Sequence, residues 1–248
     1  MQDWFRNWFN SPYYYQLYAN RNEKEASEFI HTLIHYLKPN QGAKMLDAAC
    51  GKGRHSIQLA EMGYDVTGID LSENSISEAK KSENANLEFY VHDMRLPFRI
   101  NFFDYVFNFF TSFGYFQSQR ENDAVIRTMA SALKPNGFLI IDYLNVHYAK
   151  RHIEPDYKKK VGDINFKVSK WQDDTHFYKK IIVEDPHAGA PLIYSEKVAK
   201  FSLGDFTDML AYRGLQIKEI FGDYQLNPYS LYQSPRLILL AEKIRISN

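Results

Sequence analysis

Three short apolar runs in the first hundred residues each end in an aspartate, and they read AKMLD, DVTGID and LEFYVHD. Runs of this length, bounded by turns and separated by segments of helical period, predict buried parallel strands joined by crossover helices. The carboxyl ends of such strands lie along one edge of a sheet. We therefore expect Asp47, Asp70 and Asp93 to line a single crevice.

The same alternation continues beyond these runs. Amphipathic helices are predicted near residues 22–37, 55–62, 72–82, 125–133 and 202–213, and further strands at 103–110, 137–145, 215–221 and 237–242. Strands that alternate with helices in this way are typical of a doubly wound fold. The fold class predicted is α/β, with a Rossmann-like, doubly wound, seven-stranded sheet that is mostly parallel and has an antiparallel last strand.

After residue 145 the pattern changes from apolar runs to strict alternation of polar and apolar residues. Residues 165–171, 176–184 and 192–201 alternate in this way, which predicts antiparallel strands with one wet face. We expect a small inserted antiparallel β-sheet over residues 150–201, within a single domain that spans residues 1–248. The lysine run at residues 158–160 is interpreted as a solvated stretch.

The N-terminal segment, MQDWFRNWFNSPYYYQLY, is unusually aromatic and precedes the first predicted helix. Two interpretations stay open for residues 1–20. The segment is either a lid that closes over a ligand or a staple that packs the terminus on the core.

Composition narrows the function classes. Thirty basic and thirty acidic side chains give a net charge of zero, so no general field attracts nucleic acid, which is not expected as a partner. Cys50 is the single cysteine, and no metal site is predicted because the cysteine and histidine residues lack ligand spacing. Neither a signal peptide nor a membrane span is predicted, and we expect a cytoplasmic protein.

The turn after the first strand has the chemistry of a ligand loop. Gly51 and Gly53 let the backbone turn sharply and approach a ligand, while Asp47 would repel a pyrophosphate. An aspartate after the second strand can hold a ribose diol, and one after the third can accept from the exocyclic amine of adenine. These features predict a cationic or neutral adenosine compound. A nicotinamide-dependent oxidoreductase ranks last, because Ser56 stands where a third glycine is expected.

The motifs DAACGKGRH, GIDLS, HDMRLPF and FDYVFNFFTSFGYF, in this order and spacing, resemble those of the class I S-adenosylmethionine-dependent methyltransferases. The resemblance covers about residues 13–145. It is closest to bacterial small-molecule methyltransferases that have a tyrosine-rich N-terminal segment and an antiparallel extension. Ala49 and Lys52 depart from the small residues frequent at these places, while the loop keeps its backbone role.

The resemblance implies that S-adenosylmethionine is the cofactor, and it assigns residues to each part of that molecule. Asp47 and Gly51 would contact the amino-acid part. By its place at a strand end, Asn108 is expected to face the methionyl portion, and the alternative is that it satisfies neighbouring backbone. Asp70 would hold the ribose hydroxyls. Arg21 either pairs with the cofactor carboxylate or is a solvated residue before the helix. The remaining expected contacts are Asp93 and Met94 beside adenine, and Ala49 and Leu71 along the loop and strand ends.

The function expected is in-line methyl transfer to a small-molecule acceptor whose identity the sequence leaves open, as it does the oligomeric state. If the acceptor must lose a proton, Tyr115, Tyr143 and His147 are the candidate bases by position, although each tyrosine has a packing alternative. The acceptor pocket is expected between the N-terminal segment, the TSFGYF turn (residues 111–116) and the inserted sheet. The alternatives are a protein or RNA methyltransferase and a non-catalytic S-adenosylmethionine-binding module.

Overall fold

The computed structural model describes residues 4–18, 23–154 and 156–244, and strands alternate with helices over most of this length. The helices are α1 (Trp4–Phe9), α2 (Pro12–Tyr18), α3 (Glu23–Leu37), α4 (Arg54–Glu61), α5 (Glu73–Ala79, continued by a 3₁₀ turn at Lys80–Ser82), α6 (Gln119–Ala132), α7 (Val146–Arg151) and α8 (Leu203–Ala211). The strands are β1 (Lys44–Ala48), β2 (Asp65–Asp70), β3 (Leu87–Val91), β4 (Phe103–Asn108), β5 (Leu133–Leu144), β6 (Asp156–Val161), β7 (Ile164–Gln172), β8 (His176–Glu184), β9 (Leu192–Ala199), β10 (Leu215–Phe221) and β11 (Arg236–Lys243).

Seven strands form the main sheet in the order β3-β2-β1-β4-β5-β11-β10. The first five of these are parallel, whereas β11 runs antiparallel to both of its neighbours. The strand order reverses at β1, because β2 and β3 extend the sheet on one side of it and β4 on the other. The predicted fold class is confirmed, and the reversal places the ligand crevice at the carboxyl ends of β1 and β4.

Alternating residues of the central strands fill two hydrophobic layers. Leu46 and Val106 face the layer beneath α6 and α8, while Met45 and Phe107 face the layer beneath α3, α4 and α5. Side chains alternate across a strand, so a strand covered on both faces is apolar throughout. This explains why the runs that predicted β1 and β4 are nearly continuous.

Four strands form a second, antiparallel sheet in the order β6-β7-β8-β9. The predicted inserted sheet is present, and it contains one strand more than the three that alternation predicted. Strand β6 includes the lysine run at residues 158–160, where exposed and half-buried residues alternate. The prediction of a solvated stretch was incomplete. Lys159 lies on the inner face of the strand, where an apolar residue would have revealed the alternation of polar and apolar positions.

Two other predicted boundaries were wrong. The N-terminal segment contains regular structure, since α1 and α2 are both helical. Strand β5 begins at Leu133, which pairs with Phe103, and a register shift follows where Asn136 has a φ of 64°. The predicted gap between the helix at residues 125–133 and the strand at 137–145 is therefore an irregularity inside a strand.

The N-terminal helices and the inserted sheet share a third apolar cluster. Trp8 and Leu17 pack on Phe166 and Ile181, and Trp8 is fully buried. A polar group lies within this cluster, because Oε1 of Glu196 accepts hydrogen bonds from the Trp8 indole at 2.7 Å and from the Tyr18 hydroxyl at 2.5 Å. The second carboxylate oxygen pairs with Lys179 at 2.8 Å.

We predict that Glu196→Ala strongly destabilises the protein. The side chains of Lys179 and Glu196 are 16% and 12% exposed, so the variant leaves a largely buried cation without its partner. Loss of one member of such a pair costs about 3–5 kcal/mol of unfolding free energy. Glu184→Ala is the matched control on the neighbouring strand, because its pair with Lys167 is 35% and 47% exposed and contributes about 0–1 kcal/mol. Urea unfolding measures both, and equal losses would contradict the prediction.

Candidate active site

The loop between β1 and α4 turns through three residues in the left-handed region. Ala49, Gly51 and Gly53 have φ values of 66°, 58° and 79°. A Cβ on Gly53 would overlap the Phe89 ring, whereas one on Gly51 would meet only the Tyr15 hydroxyl, at 4.0 Å. Gly53 therefore permits close packing of helix on sheet, and Gly51 keeps open space beside the loop.

Asp70, at the end of β2, connects this loop to the start of α5. Its Oδ2 accepts from the Gly51 N–H at 2.9 Å, and its Oδ1 accepts from the Ser72 N–H at 2.8 Å. The Leu71 N–H also acts on this carboxylate, which has about four acceptor positions, so some acceptor capacity remains for a further donor. That arrangement suits a ribose diol, and Leu71 lies beside it in the cavity wall.

Asp47 is the most buried of the three strand-end aspartates, with only 1% of its surface exposed. Its Oδ2 accepts a hydrogen bond from the Ser56 hydroxyl at 2.7 Å. Burial raises the pKa of Asp47 to about 6, and the nearby Asp70 carboxylate adds to this, while Ser56 and Arg54 oppose it. The group is therefore an anion at neutral pH that carries a desolvation cost.

Asp93 is held by a guanidinium. Nε and Nη2 of Arg95 donate to both of its carboxylate oxygens at 2.7–3.2 Å, and Arg6 of α1 lies 3.7 Å away. Burial alone would raise the pKa of Asp93, but the hydrogen bonds from Arg95 outweigh it and the pKa is lowered. An adenine amine would thus share this carboxylate with Arg95, while Met94 lines the cavity beside it.

Asn108 lies under the site and not in its wall. Its side chain is fully buried, donates to the Ala48 carbonyl at 2.9 Å and approaches the Met94 sulfur at 3.9 Å. The amide nitrogen thus satisfies the end of the neighbouring strand, while the buried Oδ1 has no hydrogen-bond partner among the described residues. The contact of Asn108 with the methionyl part stays a prediction. Phe109 and Phe110 line the cavity at this position instead.

The structure separates the three candidate bases. Tyr115 lines the cavity, whereas Tyr143 is fully buried and donates its hydroxyl to the Ala199 carbonyl. Burial raises the pKa of Tyr143, so neither its position nor its acidity suits a base. His147 lies in the first turn of α7 beside Tyr232, with ring centroids 5.9 Å apart, and is not in the cavity wall. Arg21 lies outside the described residues.

The turn after β4 is held by a buried ion pair that sequence reasoning missed. Phe110 and Thr111 both have left-handed φ values, 55° and 58°. Asp142 accepts from the Phe110 N–H at 2.8 Å, and Arg236 donates to Asp142 at 2.7 Å and to Thr111 Oγ1 at 2.9 Å. Two strained residues in succession persist only where surrounding contacts fix them, as this pair does.

The N-terminal helices cover the crevice. Oδ1 of Asn10 accepts from the Ser72 hydroxyl at 2.9 Å, and the Tyr15 hydroxyl forms a 2.5 Å hydrogen bond with Ser75. Both contacts are to the start of α5, next to Asp70. The aromatic composition of residues 1–18 was the sequence signal for this cover, but no signal pointed to Asn10.

One cavity of about 1130 Å³ joins these parts. It extends from Asp93 past Asp70 and Asp47 to Tyr115, under α1 and α2. The inserted sheet was expected to form part of its wall and, among the described residues, contributes none of it. That sheet instead supports the far side of the N-terminal helices.

The described residues fit an adenosine-containing cation. The crevice presents Asp47 and Asp70 to a positive charge, Asp70 keeps acceptor positions for a diol, and Gly51 leaves space beside the loop. No group of three histidine, cysteine or acidic side chains that could hold a metal ion occurs in residues 4–18, 23–154 and 156–244. In the same ranges, no helix is both long and apolar enough to cross a membrane.

A family model described as a methyltransferase domain matches residues 39–186, which is more than half of the chain. The chain belongs to this methyltransferase family. It is similar to the putative methyltransferase YqeM of Bacillus subtilis, with 29% identity over 220 residues that cover 83% of this chain and 85% of that protein.

Two further similarities concern the fold and a smaller part of the sequence. The crystal structure of an S-adenosylmethionine-dependent methyltransferase from Clostridium acetobutylicum matches with a TM-score of 0.78 at 17% identity, covering 94% of this chain and 96% of that one. A dTDP-3-amino-3,4,6-trideoxy-alpha-D-glucopyranose N,N-dimethyltransferase from Streptomyces venezuelae is 31% identical over 129 residues, about half of each chain (50% and 53%). The methyltransferase is thus an S-adenosylmethionine-dependent enzyme with a Rossmann-like fold.

We predict that Asp70→Ala weakens binding of S-adenosylhomocysteine by the methyltransferase at least about tenfold. The variant loses the carboxylate that would accept hydrogen bonds from the ribose hydroxyls. Asp65→Ala is the matched control, since Asp65 begins the same strand and forms only an exposed ion pair with Lys44, 2.7 Å long. Isothermal calorimetry compares the two variants. Equal affinities for both would contradict the role of Asp70.

We also predict that Asp47→Asn changes the pH dependence of stability. Because burial raises the pKa of Asp47 from 3.8 to about 6, this carboxyl favours the folded state below pH 4, and its contribution is lost as the pH rises through 6. The asparagine variant should therefore gain stability relative to the parent between pH 4 and pH 8, by up to about 3 kcal/mol. Thermal unfolding across this range measures it, and a constant difference would contradict it.

Proposed function

We propose that the enzyme transfers a methyl group in line to an amino group of a small molecule that enters under the N-terminal helices. The cofactor, when bound, supplies a methyl group already activated by its sulfonium charge. The chain's own residues then need chiefly to align the acceptor and exclude water.

The observation that carries this proposal is the continuity between the acidic crevice and an aromatic compartment. Phe9 packs edge-on against Tyr14 and Tyr115, with centroids 5.0 and 5.2 Å apart, and all three rings line the same cavity as Asp70. A cavity of about 1130 Å³ has room for a nucleoside cofactor together with a small acceptor.

The aromatic walls favour an amine. Ring faces attract an ammonium group, with a free energy of about 0.5–2 kcal/mol per contact, and at the same time keep water from the acceptor. The nitrogen attacks as the neutral amine, so the ammonium first releases its proton to solvent. The Tyr115 hydroxyl at this wall can then accept a hydrogen bond from the amine and orient it. The similarity to the Streptomyces N,N-dimethyltransferase supports nitrogen as the acceptor atom.

We further propose that the described part of the N-terminal segment, residues 4–18, forms a lid that is attached at one side and releasable at the other. The attached side is the apolar cluster around Trp8 on the inserted sheet, where the Trp8 side chain is fully buried. The releasable side is Asn10 and Tyr15, whose contacts are short polar ones to the start of α5. A lid attached in this way combines the two interpretations of the aromatic segment.

The test uses the full chain, S-adenosylmethionine and a panel of amino sugars, amino acids and simple amines, with S-adenosylhomocysteine release as the readout. Release that depends on one of these amines is the expected result. Methylation confined to protein or RNA, or cofactor binding without any transfer, would overturn the small-molecule proposal.

A second measurement addresses the lid. Hydrogen exchange of residues 9–15 should slow when S-adenosylhomocysteine is added, because the ligand lies beneath them. Asn10→Ala should quicken this exchange and raise the dissociation rate of the ligand, with little change at Trp8. Equal exchange with and without ligand would remove the lid from the mechanism.

A further inference from the structure

The outer face of the inserted sheet is rich in lysine. Its inner face is covered by the N-terminal helices, because Phe166, Val168 and Ile181 pack against Trp8 and Leu17. Side chains alternate across a strand, so the residues between these inner ones lie on the opposite, outer face. That outer face carries five lysines, which are Lys158 and Lys160 of β6, Lys167 of β7, Lys180 of β8 and Lys197 of β9.

These lysines lie close together although like charges repel. Lys158 is directly opposite Lys167 in the strand pairing, and Lys180 is a diagonal neighbour of Lys167 on the next strand. Like charges directly opposite each other destabilise a sheet. Lys167 pairs with Glu184, whereas the other four lysines form no ion pair within the described residues. Only one further acidic side chain, Asp156, shares the outer face, so the arrangement favours an anionic partner.

A pair of stacked aromatic rings lies beside the lysines. Trp171 is directly opposite Tyr178, and the two rings are nearly parallel, with centroids 5.4 Å apart and an interplanar angle of 7°. The Tyr178 hydroxyl donates to Asp173 at 2.7 Å, which fixes the orientation of its ring. Lys197 is opposite Tyr178 on the other side, and Trp171 is 47% exposed. The sheet therefore presents a preoriented aromatic surface next to a cation.

This combination matches the chemistry of a nucleic-acid single strand. Ammonium groups neutralise the phosphates, and unpaired bases stack on exposed aromatic rings. Four-stranded antiparallel sheets that present aromatic rings bind single strands in this way in an unrelated class of RNA-binding domains. A duplex has its base faces covered, and an acidic peptide has no bases, so both would contact the lysines and leave Trp171 without a role.

The zero net charge of the chain is compatible with such a partner. It led us to expect no nucleic acid because it averages over every side chain, whereas a ligand responds to the local field of the surface that it meets. The pattern of β6 concealed the patch. Lys159 lies on the inner face and donates to the Leu17 carbonyl, while Lys158 and Lys160 lie on the outer face.

We propose that the outer face of the inserted sheet binds single-stranded nucleic acid, with phosphates at the lysines and a base on Trp171. The N-terminal helices and the sheet itself separate this face from the cavity. The strand is therefore a docking partner and not the methyl acceptor. Methyl transfer to a small amine does not depend on this site.

Fluorescence anisotropy tests the proposal with a labelled single-stranded RNA of about 12 nucleotides and a DNA of the same sequence, each over a series of salt concentrations. Saturable binding by the parent protein is expected, and the comparison of RNA with DNA identifies the preferred strand. The triple variant Lys158→Gln, Lys160→Gln, Lys180→Gln should bind at least about tenfold more weakly. Its affinity should also depend less on salt, with a logarithmic slope smaller by about 2, because each lost phosphate contact removes about 0.7.

The matched control removes three exposed lysines from other parts of the surface, as Lys38→Gln, Lys80→Gln, Lys218→Gln. It lowers the net charge equally and should keep the parent's affinity within about twofold. Trp171→Ala should weaken binding of the single strand and leave the salt slope unchanged, since a stacked base releases no counterions. Each variant should bind S-adenosylhomocysteine as the parent does, which shows that it is folded.

Four outcomes would overturn the inference. They are no binding of either strand by the parent, equal losses in the two triple variants, duplex RNA bound as tightly as the single strand, and displacement of the strand by polyglutamate or anionic lipid vesicles at equal charge concentration. Sedimentation adds a fifth, because a dimer that the first triple variant disrupts would place a second copy of the chain on this face. None of these results affects the proposed methyl transfer, whose own failure would be an absence of S-adenosylhomocysteine release with every amine.

Discussion

The reversal of strand order at β1 is the constraint on which this structure depends. Because β2 and β4 leave β1 on opposite sides, the loops after these strands diverge and open a crevice between them. Asp70 then closes one wall by accepting from the loop after β1 and from the start of α5. Every contact attributed to the cofactor lies along this edge, so the site is a property of the sheet's topology before it is a property of any side chain.

Ion pairs in this protein hold chain segments that would not keep their conformation or position alone. The Asp142–Arg236 pair holds two successive left-handed residues after β4, and Glu196 with Lys179 fixes the N-terminal helices to the inserted sheet. Such pairs contribute little net stability over apolar packing, but breaking one is costly. They therefore specify geometry more than they stabilise the fold. Asp47 is different, since its burial raises its pKa and makes its charged form costly, as is common for groups at functional sites.

The inserted sheet affects the cavity indirectly, through the N-terminal helices that it supports. Its inner face packs on Trp8 and Leu17, and the opposite side of the same helices faces the crevice through Phe9 and Tyr15. Two short helices of six and seven residues would be marginal alone, so tertiary packing has to stabilise them. The inserted sheet thus determines how firmly the N-terminal helices are held, while these helices determine which molecules enter the cavity.

The sequence by itself determined the main sheet and its acidic edge, because strands buried on both faces read as continuous apolar runs and parallel strands bring their ends together. It also determined the family, through the loop and strand-end motifs. It could not show that Tyr143 and Asn108 are buried outside the cavity wall, since position along a strand does not reveal which group a side chain will satisfy in the core. Nor could the sequence reveal the contacts of Asn10 with Ser72, of His55 with Arg54 or of Arg236 with Asp142. These contacts join residues whose proximity or orientation is set by packing, so only the tertiary structure decided them.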